Sequence, residues 1–388
     1  MKETQTLDFY QLDSLLSDEE KTIRDEVGQF VDGKCMPIIA DFFDQGTFPM
    51  DLIPEMADMG LFGLHVDGYG CSPQNDIVYG LVNQELGRCD SGLRAMFSVQ
   101  NSLVMFPIFK FGSKAQRQQW LPRMARGESI GSFGLSEPGY GSNPGGMETR
   151  AVKKNGVYVI NGRKMWITNA PIADVAIIWA KAEKDIRGFL VETDTAGFHV
   201  SAIKRKYAYR TSPTGTIELK DCEIPEENML PGAVGLKSIF QCLNLARYGV
   251  ACGAVGSAIG CYHAARSFAL KREVFKQPIA SYQLIQDQLV RMLVEITKAQ
   301  LVNYHLGRLM DSNQVKPAQI SLAKLNSVRE AIKIARMARD ILGARGILAD
   351  HHVIRHLTDL EAVSTLEGTA SMHTLVLGQE ITGLSAFY

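Results

Sequence analysis

Lys154-Asn-Gly-Val-Tyr-Val-Ile-Asn-Gly-Arg-Lys-Met-Trp-Ile-Thr-Asn169 alternates β-forming residues around two Asn-Gly pairs, Asn155-Gly156 and Asn161-Gly162. Asn-Gly favours the positive-φ turn of a tight hairpin, so the spacing predicts paired strands over residues 158–160 and 164–168. Residues 175–180, 188–191 and 216–219 continue the pattern with further β-rich runs. Upstream, residues 132–146 hold five glycines and two prolines, too many for a helix. These features predict a β domain over residues 131–232.

On both sides of this block the periodicity becomes helical. Ser17-Asp-Glu-Glu20 has the spacing of a capping box, and Ile23, Val27, Phe30 and Val31 follow on one helical face. Residues 76–87 and 91–111 read as further helices. Beyond residue 232, Leu284, Leu289, Met292, Leu293 and Ile296 keep helical spacing. The Ala-rich segment 323–339 has high helix propensity, and Gly343-Ala-Arg-Gly346 ends it. The predicted fold class is mainly α with a central β domain. A helical domain over 1–130 precedes a barrel-like β domain over 131–232, and a helical bundle over 233–388 follows.

Composition narrows the function. The 388 residues carry a net charge of −1, which argues against a phosphate-tracking nucleic-acid binder. With 46% apolar and 21% charged residues, the chain can bury a large core. It has no apolar run long enough for a membrane span, and the first 30 residues lack a signal-peptide layout. Seven widely spaced cysteines without a CxxC predict neither a zinc site nor a disulfide framework, and no other metal site is expected. A soluble, reducing compartment is expected: the cytoplasm, or the mitochondrial matrix for a processed eukaryotic protein.

Three segments carry chemistry. Residues 131–142, GSFGLSEPGYGS, form a turn rich in backbone N–H groups and hydroxyls, suited to an anionic or carbonyl-rich ligand or to a plain strand connection. Trp166 and Thr168, two apart on a strand, fall on one face, where an aromatic and a hydroxyl could back a planar ring. Glu367, between Leu366 and Gly368, could be a desolvated carboxylate of raised pKa, as a general base requires, or a solvated loop acid. Gly253-Ala-Val-Gly256 reads as close helix packing, and His351-His352 as a surface pair.

Together these segments resemble the acyl-CoA dehydrogenases over nearly the whole chain. FGLSEPGYGSN at 133, MWITN at 165, LNLARYGVA at 243 and LEGT at 366 occur in the family's order. DSGLRAMFSVQNSLVM at 90, GMETRA at 146 and HVIRHLTDLEAV at 352 are most similar to the glutaryl-CoA dehydrogenases. The resemblance implies an FAD enzyme that oxidises the α–β bond of an acyl-CoA, with Glu367 as base. Phe133, Leu135 and Ser136 would line the isoalloxazine. Ser142 would reach the pyrophosphate or the bound CoA thioester, and Trp166 and Thr168 would cover the other flavin side. Arg272, Phe275, Gln283, Asp340, Gly343 and Ala344 match segments that hold FAD from a neighbouring subunit, implying a homo-oligomer, a tetramer by family habit.

By the same resemblance Arg247 lies along CoA, Gly368 beside the substrate and Thr369 beside the flavin. Arg94 matches the arginine that binds the glutaryl carboxylate, with Ser98 one turn away. The implied reaction is oxidation of glutaryl-CoA with decarboxylation to crotonyl-CoA, with electron-transferring flavoprotein as acceptor. Leu366, Gly87 and Ala95 stand where that subgroup carries Tyr, Glu and Ser. The alternatives are a general short-chain dehydrogenase or oxidase without decarboxylation, or an inactive binding protein of the same fold.

Overall fold

A computed structural model describes residues 7–387. Before the sheet come α1 (Asp18–Phe30), α2 (Ile39–Gln45), α3 (Leu52–Asp58), α4 (Asp76–Cys89), α5 (Ser91–Ser98), α6 (Phe106–Phe111) and α7 (Lys114–Ala125). The capping box of α1 forms as the sequence predicts. Ser17 Oγ accepts the Glu20 N–H, and the Glu20 carboxylate accepts the Ser17 N–H.

The helix predicted over 91–111 is α5 and α6 joined by a π-helical segment, Val99–Met105. A wide turn re-aims side chains, and such turns recur at functional sites. Here it turns Gln100 toward the sheet, where its amide accepts from Gly131 N (2.9 Å) and donates to Ser129 O (2.9 Å). Val99 and Leu103 face a cavity.

The sheet contains β1 (Gly131–Gly134), β2 (Arg150–Lys154), β3 (Val157–Thr168), β4 (Val175–Ala182), β5 (Asp185–Glu192), β6 (Phe198–Ala202), β7 (Thr214–Pro225) and β8 (Met229–Val234). Its order is β6-β7-β3-β2-β4-β5-β8, with β1 parallel to β4. Asn155 (φ 48°) and Gly156 (φ 84°) make the expected hairpin between β2 and β3. The second pair does not turn. β3 runs through Asn161-Gly162 because β7 is long enough to pair with both halves, and the irregularity is absorbed as a register shift between Ile160 and Gly162.

Strand β4 is buried on both faces. Val175, Ile177 and Trp179 join the core shared with the helices, whereas Ala176, Ile178, Ala180 and Ala182 fill the sheet's own core. That second core collects side chains from β2 through β7, giving the barrel-like middle domain.

After the sheet come α8 (Gly235–Lys271), the short strands β9 (Glu273–Val274) and β10 (Gln277–Pro278), then α9 (Gln283–Asp311), α10 (Pro317–Ile341), α11 (Val353–Val363) and α12 (Ala370–Thr382). The glycines of α8 serve helix packing, as the sequence suggests. A Cβ on Gly256 would overlap the Gln84 carbonyl of α4, and one on Gly87 would overlap the Gly253 backbone. The apolar stripe expected on α9 is only partly internal. Met292 and Ile296 are buried and Leu289 and Leu293 half-buried, but Leu284 is 82% exposed. Among the described residues, no helix is long and apolar enough to cross a membrane.

Candidate active site

A cavity of about 980 Å³ opens where the three parts of the chain meet. The loop after β1, the end of β3, the 206–214 loop, the first turns of α8, the α5 region and the α11–α12 junction all line it.

Glu367 sits at that junction with φ 53°, a conformation unfavourable for a residue with a Cβ. Two cations hold the peptide there. Lys324, from the buried face of α10, donates to Leu366 O (2.8 Å) and Gly368 O (2.7 Å). Arg247, from α8, donates through Nε to Glu367 O (2.8 Å). Three consecutive carbonyls are thus clamped, and the side chain is directed inward. Gly368 follows at φ 102°, against His373. Thr369 then caps α12, its hydroxyl accepting from Met372 N (3.1 Å).

The Glu367 residue is half-buried, but its Oε2 is enclosed and has no hydrogen-bond partner among the described residues. Burial raises its pKa above the ordinary carboxylate value, against the opposing pull of Arg94, Lys324 and Arg247. Burial brings Lys324 down to about 7, although Glu367 favours its charged form. Burial, reinforced by the charges of Lys324 and Arg247, depresses His373 to about 3, so its imidazole is neutral at pH 7. A carboxylate of raised pKa, fixed in direction and with one oxygen enclosed, is equipped to remove a weakly acidic proton.

Arg94 lines the same cavity, only 3% exposed. Its Nη2 donates to Tyr209 Oη (3.0 Å), and its Nη1 has no partner among the described residues. Its stem passes α8 at Gly253, where a Cβ would strike Arg94 Cδ. Gly87 is outside this lining, in the α4–α8 contact, and the shape of that contact accounts for a glycine there.

Phe133, Leu135, Ser136, Ser142, Trp166, Thr168, Arg247, Gly368 and Thr369 are brought to the cavity with Glu367 and Arg94. Trp166 and Thr168 get there differently from regular strand alternation. The β3–β7 register shifts between Lys164 and Ile167, and Trp166 takes φ 65° and stays 59% exposed. Ser98 is not brought in: its hydroxyl is buried against Tyr79 Oη (3.1 Å). Arg272, Phe275, Gln283, Asp340, Gly343 and Ala344 lie outside the cavity, exposed on the chain's surface.

Sequence reasoning missed Lys324, Tyr209 and His373 in this region. It also missed what anchors the glycine-rich loop: a buried ion pair between Glu137 and Lys164 (2.9 Å). Glu137 also accepts from Glu148 N (2.6 Å) and Thr149 N (3.0 Å).

Models of the N-terminal, middle and C-terminal domains of acyl-CoA dehydrogenase match residues 17–128, 132–222 and 233–382. A solved glutaryl-CoA dehydrogenase from Mycobacterium smegmatis, in complex with FADH2, superposes with TM-score 0.97 at 46% identity, covering 98% of this chain and 99% of that one. The probable acyl-CoA dehydrogenase YngJ of Bacillus subtilis is 32% identical over 94% of this chain and 98% of its own length. The mitochondrial short-chain specific acyl-CoA dehydrogenase of Rattus norvegicus is 31% identical over 93% of this chain and 90% of its own. Domain order, site and similarity agree: the chain belongs to the acyl-CoA dehydrogenase family of FAD-dependent oxidoreductases.

Proposed function

We propose that the protein oxidises the α–β bond of a short acyl-CoA whose chain ends in a carboxylate, with glutaryl-CoA as the leading substrate. One observation carries this reading. An enclosed carboxylate oxygen of Glu367 and a guanidinium nitrogen of Arg94, each without a hydrogen-bond partner among the described residues, belong to side chains that line a single cavity. A thioester with a distal carboxylate would present an α-proton to the first and an anion to the second.

The residues present fit FAD. The cavity has Phe133, Leu135 and the exposed indole of Trp166 for a flat apolar ring, with the hydroxyls of Ser136, Ser142 and Thr168 beside them. Thr369 Oγ1 accepts from its own helix, which leaves its proton free to donate. When bound, the flavin supplies a two-electron acceptor for the hydride from the β-carbon. Arg247 lies along the CoA portion, and Glu367 removes the α-proton. Its own backbone N–H polarises the thioester oxygen as enolate charge develops.

After oxidation of glutaryl-CoA, the distal carboxylate sits on the γ-carbon, allylic to the new double bond, so the electrons of the breaking Cγ–CO2 bond can delocalise into the thioester. Loss of CO2 leaves a dienolate, which protonated Glu367 converts to crotonyl-CoA. Electron-transferring flavoprotein is the proposed acceptor, with a homo-oligomer completing the FAD site through Arg272, Phe275, Gln283, Asp340, Gly343 and Ala344. Steady-state comparison of glutaryl-CoA with butyryl-CoA, with CO2 measured, tests the reading. Glutaryl-CoA is expected to be preferred, with one CO2 per turnover. Preference for butyryl-CoA, unchanged in Arg94→Met, would instead support a short-chain dehydrogenase without decarboxylation.

A further inference from the structure

Tyr209 is a buried tyrosine in a positive-φ conformation (φ 55°) on the loop between β6 and β7. A residue with a Cβ holds that backbone only when its surroundings over-determine it, and such residues gather at ligand sites. Four hydrogen bonds hold Tyr209, one of them from Ser212 N to its carbonyl (3.1 Å). Its N–H donates to Asp359 Oδ1 (2.6 Å), its carbonyl accepts from Lys206 Nζ, and its hydroxyl accepts from Arg94 Nη2 (3.0 Å). Lys206, Tyr209 and Arg94 all line the cavity.

The direction of the last bond matters. A guanidinium only donates, so Tyr209 Oη is the acceptor and its own proton is left to donate. Arg94 Nη1 is left to donate as well, since it has no partner among the described residues. Glu367 favours the Arg94 charge through space, but among the described residues the guanidinium's side-chain hydrogen-bond partner is a neutral phenol, so a carboxylate can still add a charge-assisted hydrogen bond there.

We infer that Tyr209 is a specificity-determining residue, the second arm of a two-point receptor for the distal carboxylate. One carboxylate oxygen accepts from Arg94 Nη1 and the other from Tyr209 Oη. The phenol also fixes the guanidinium plane, so loss of the hydroxyl removes one contact and loosens the other. This inference rests on the proposed carboxylate-ended substrate.

The test is equilibrium binding to FAD-loaded protein carrying Glu367→Gln, a background in which bound substrate is not consumed. Dissociation constants for glutaryl-CoA and butyryl-CoA are measured with Tyr209 intact, with Tyr209→Phe and with Arg94→Met. Melting temperature follows folding. Glutaryl-CoA is expected to bind more tightly when both arms are intact, and Tyr209→Phe to shrink the glutaryl-over-butyryl ratio by about tenfold or more. The conservative Tyr209→Trp, which restores an N–H donor on a ring, is expected to recover part of the ratio and serves as the second variant. A ratio that Arg94→Met abolishes but neither Tyr209 variant changes overturns the role of Tyr209 and leaves the substrate reading intact. No preference for glutaryl-CoA with both arms intact overturns the substrate reading itself.

Discussion

Lys324 shows how much a single residue can do without touching the reacting atoms. It holds the two carbonyls that flank Glu367, and its ammonium favours the ionised carboxylate. As the proposed base, Glu367 would work only when ionised, so its pKa would set the acid limb of the rate. Lys324→Met removes a positive charge, pushes the Glu367 pKa further up and should move that limb to higher pH by about one unit or more. Stopped-flow flavin reduction across pH 5–9 measures this, and an unmoved limb would refute it. Glu367 was legible as an acid between an apolar residue and a glycine. Lys324 left a usable signal too, because it sits on the buried stripe with Ile320, Ser321, Ser327 and Val328, where a lysine must find acceptors. Tyr209 left none: a loop conformation fixed by Asp359, Lys206 and Arg94 depends on residues far apart in sequence.

Among the elements, α8 carries Arg247 and passes the Arg94 stem at Gly253, and α4 crosses it closely at Gly87 and Gly256. Gly256→Ala would place a Cβ against the Gln84 and Arg88 backbone, which cannot move aside as a side chain could. The expected cost is about 3 kcal/mol, read from denaturant melts. Gly33→Ala, in open space, should be neutral or slightly stabilising. Equal effects at the two positions would show that the crossing is looser than described. The helical, β, helical order was legible because hydrophobic period and turn chemistry are local. The second Asn-Gly pair misled because its role depends on the length of β7, a distant partner. The π-helical segment inside residues 91–111 was hidden for the same reason: Gln100 is drawn to Ser129 and Gly131, while the helical pattern continues unbroken.

For the whole molecule, the six residues matched to the FAD segments of a neighbouring subunit are exposed and lie apart from the cavity. Phe275 is 89% exposed and Leu284 82%, apolar surface that the proposed second copy would cover. Mass photometry should show a dimer or larger, and Leu284→Asp should weaken assembly and FAD retention together. A monomer that keeps its full FAD would contradict the shared site. The central claim is that Glu367 is the base of an acyl-CoA dehydrogenase, and anaerobic flavin bleaching by an acyl-CoA tests it most directly. Glu367→Gln keeps the shape but cannot take the proton. Bleaching is expected to slow by orders of magnitude while FAD and substrate still bind; bleaching at the unmodified protein's rate would contradict the account.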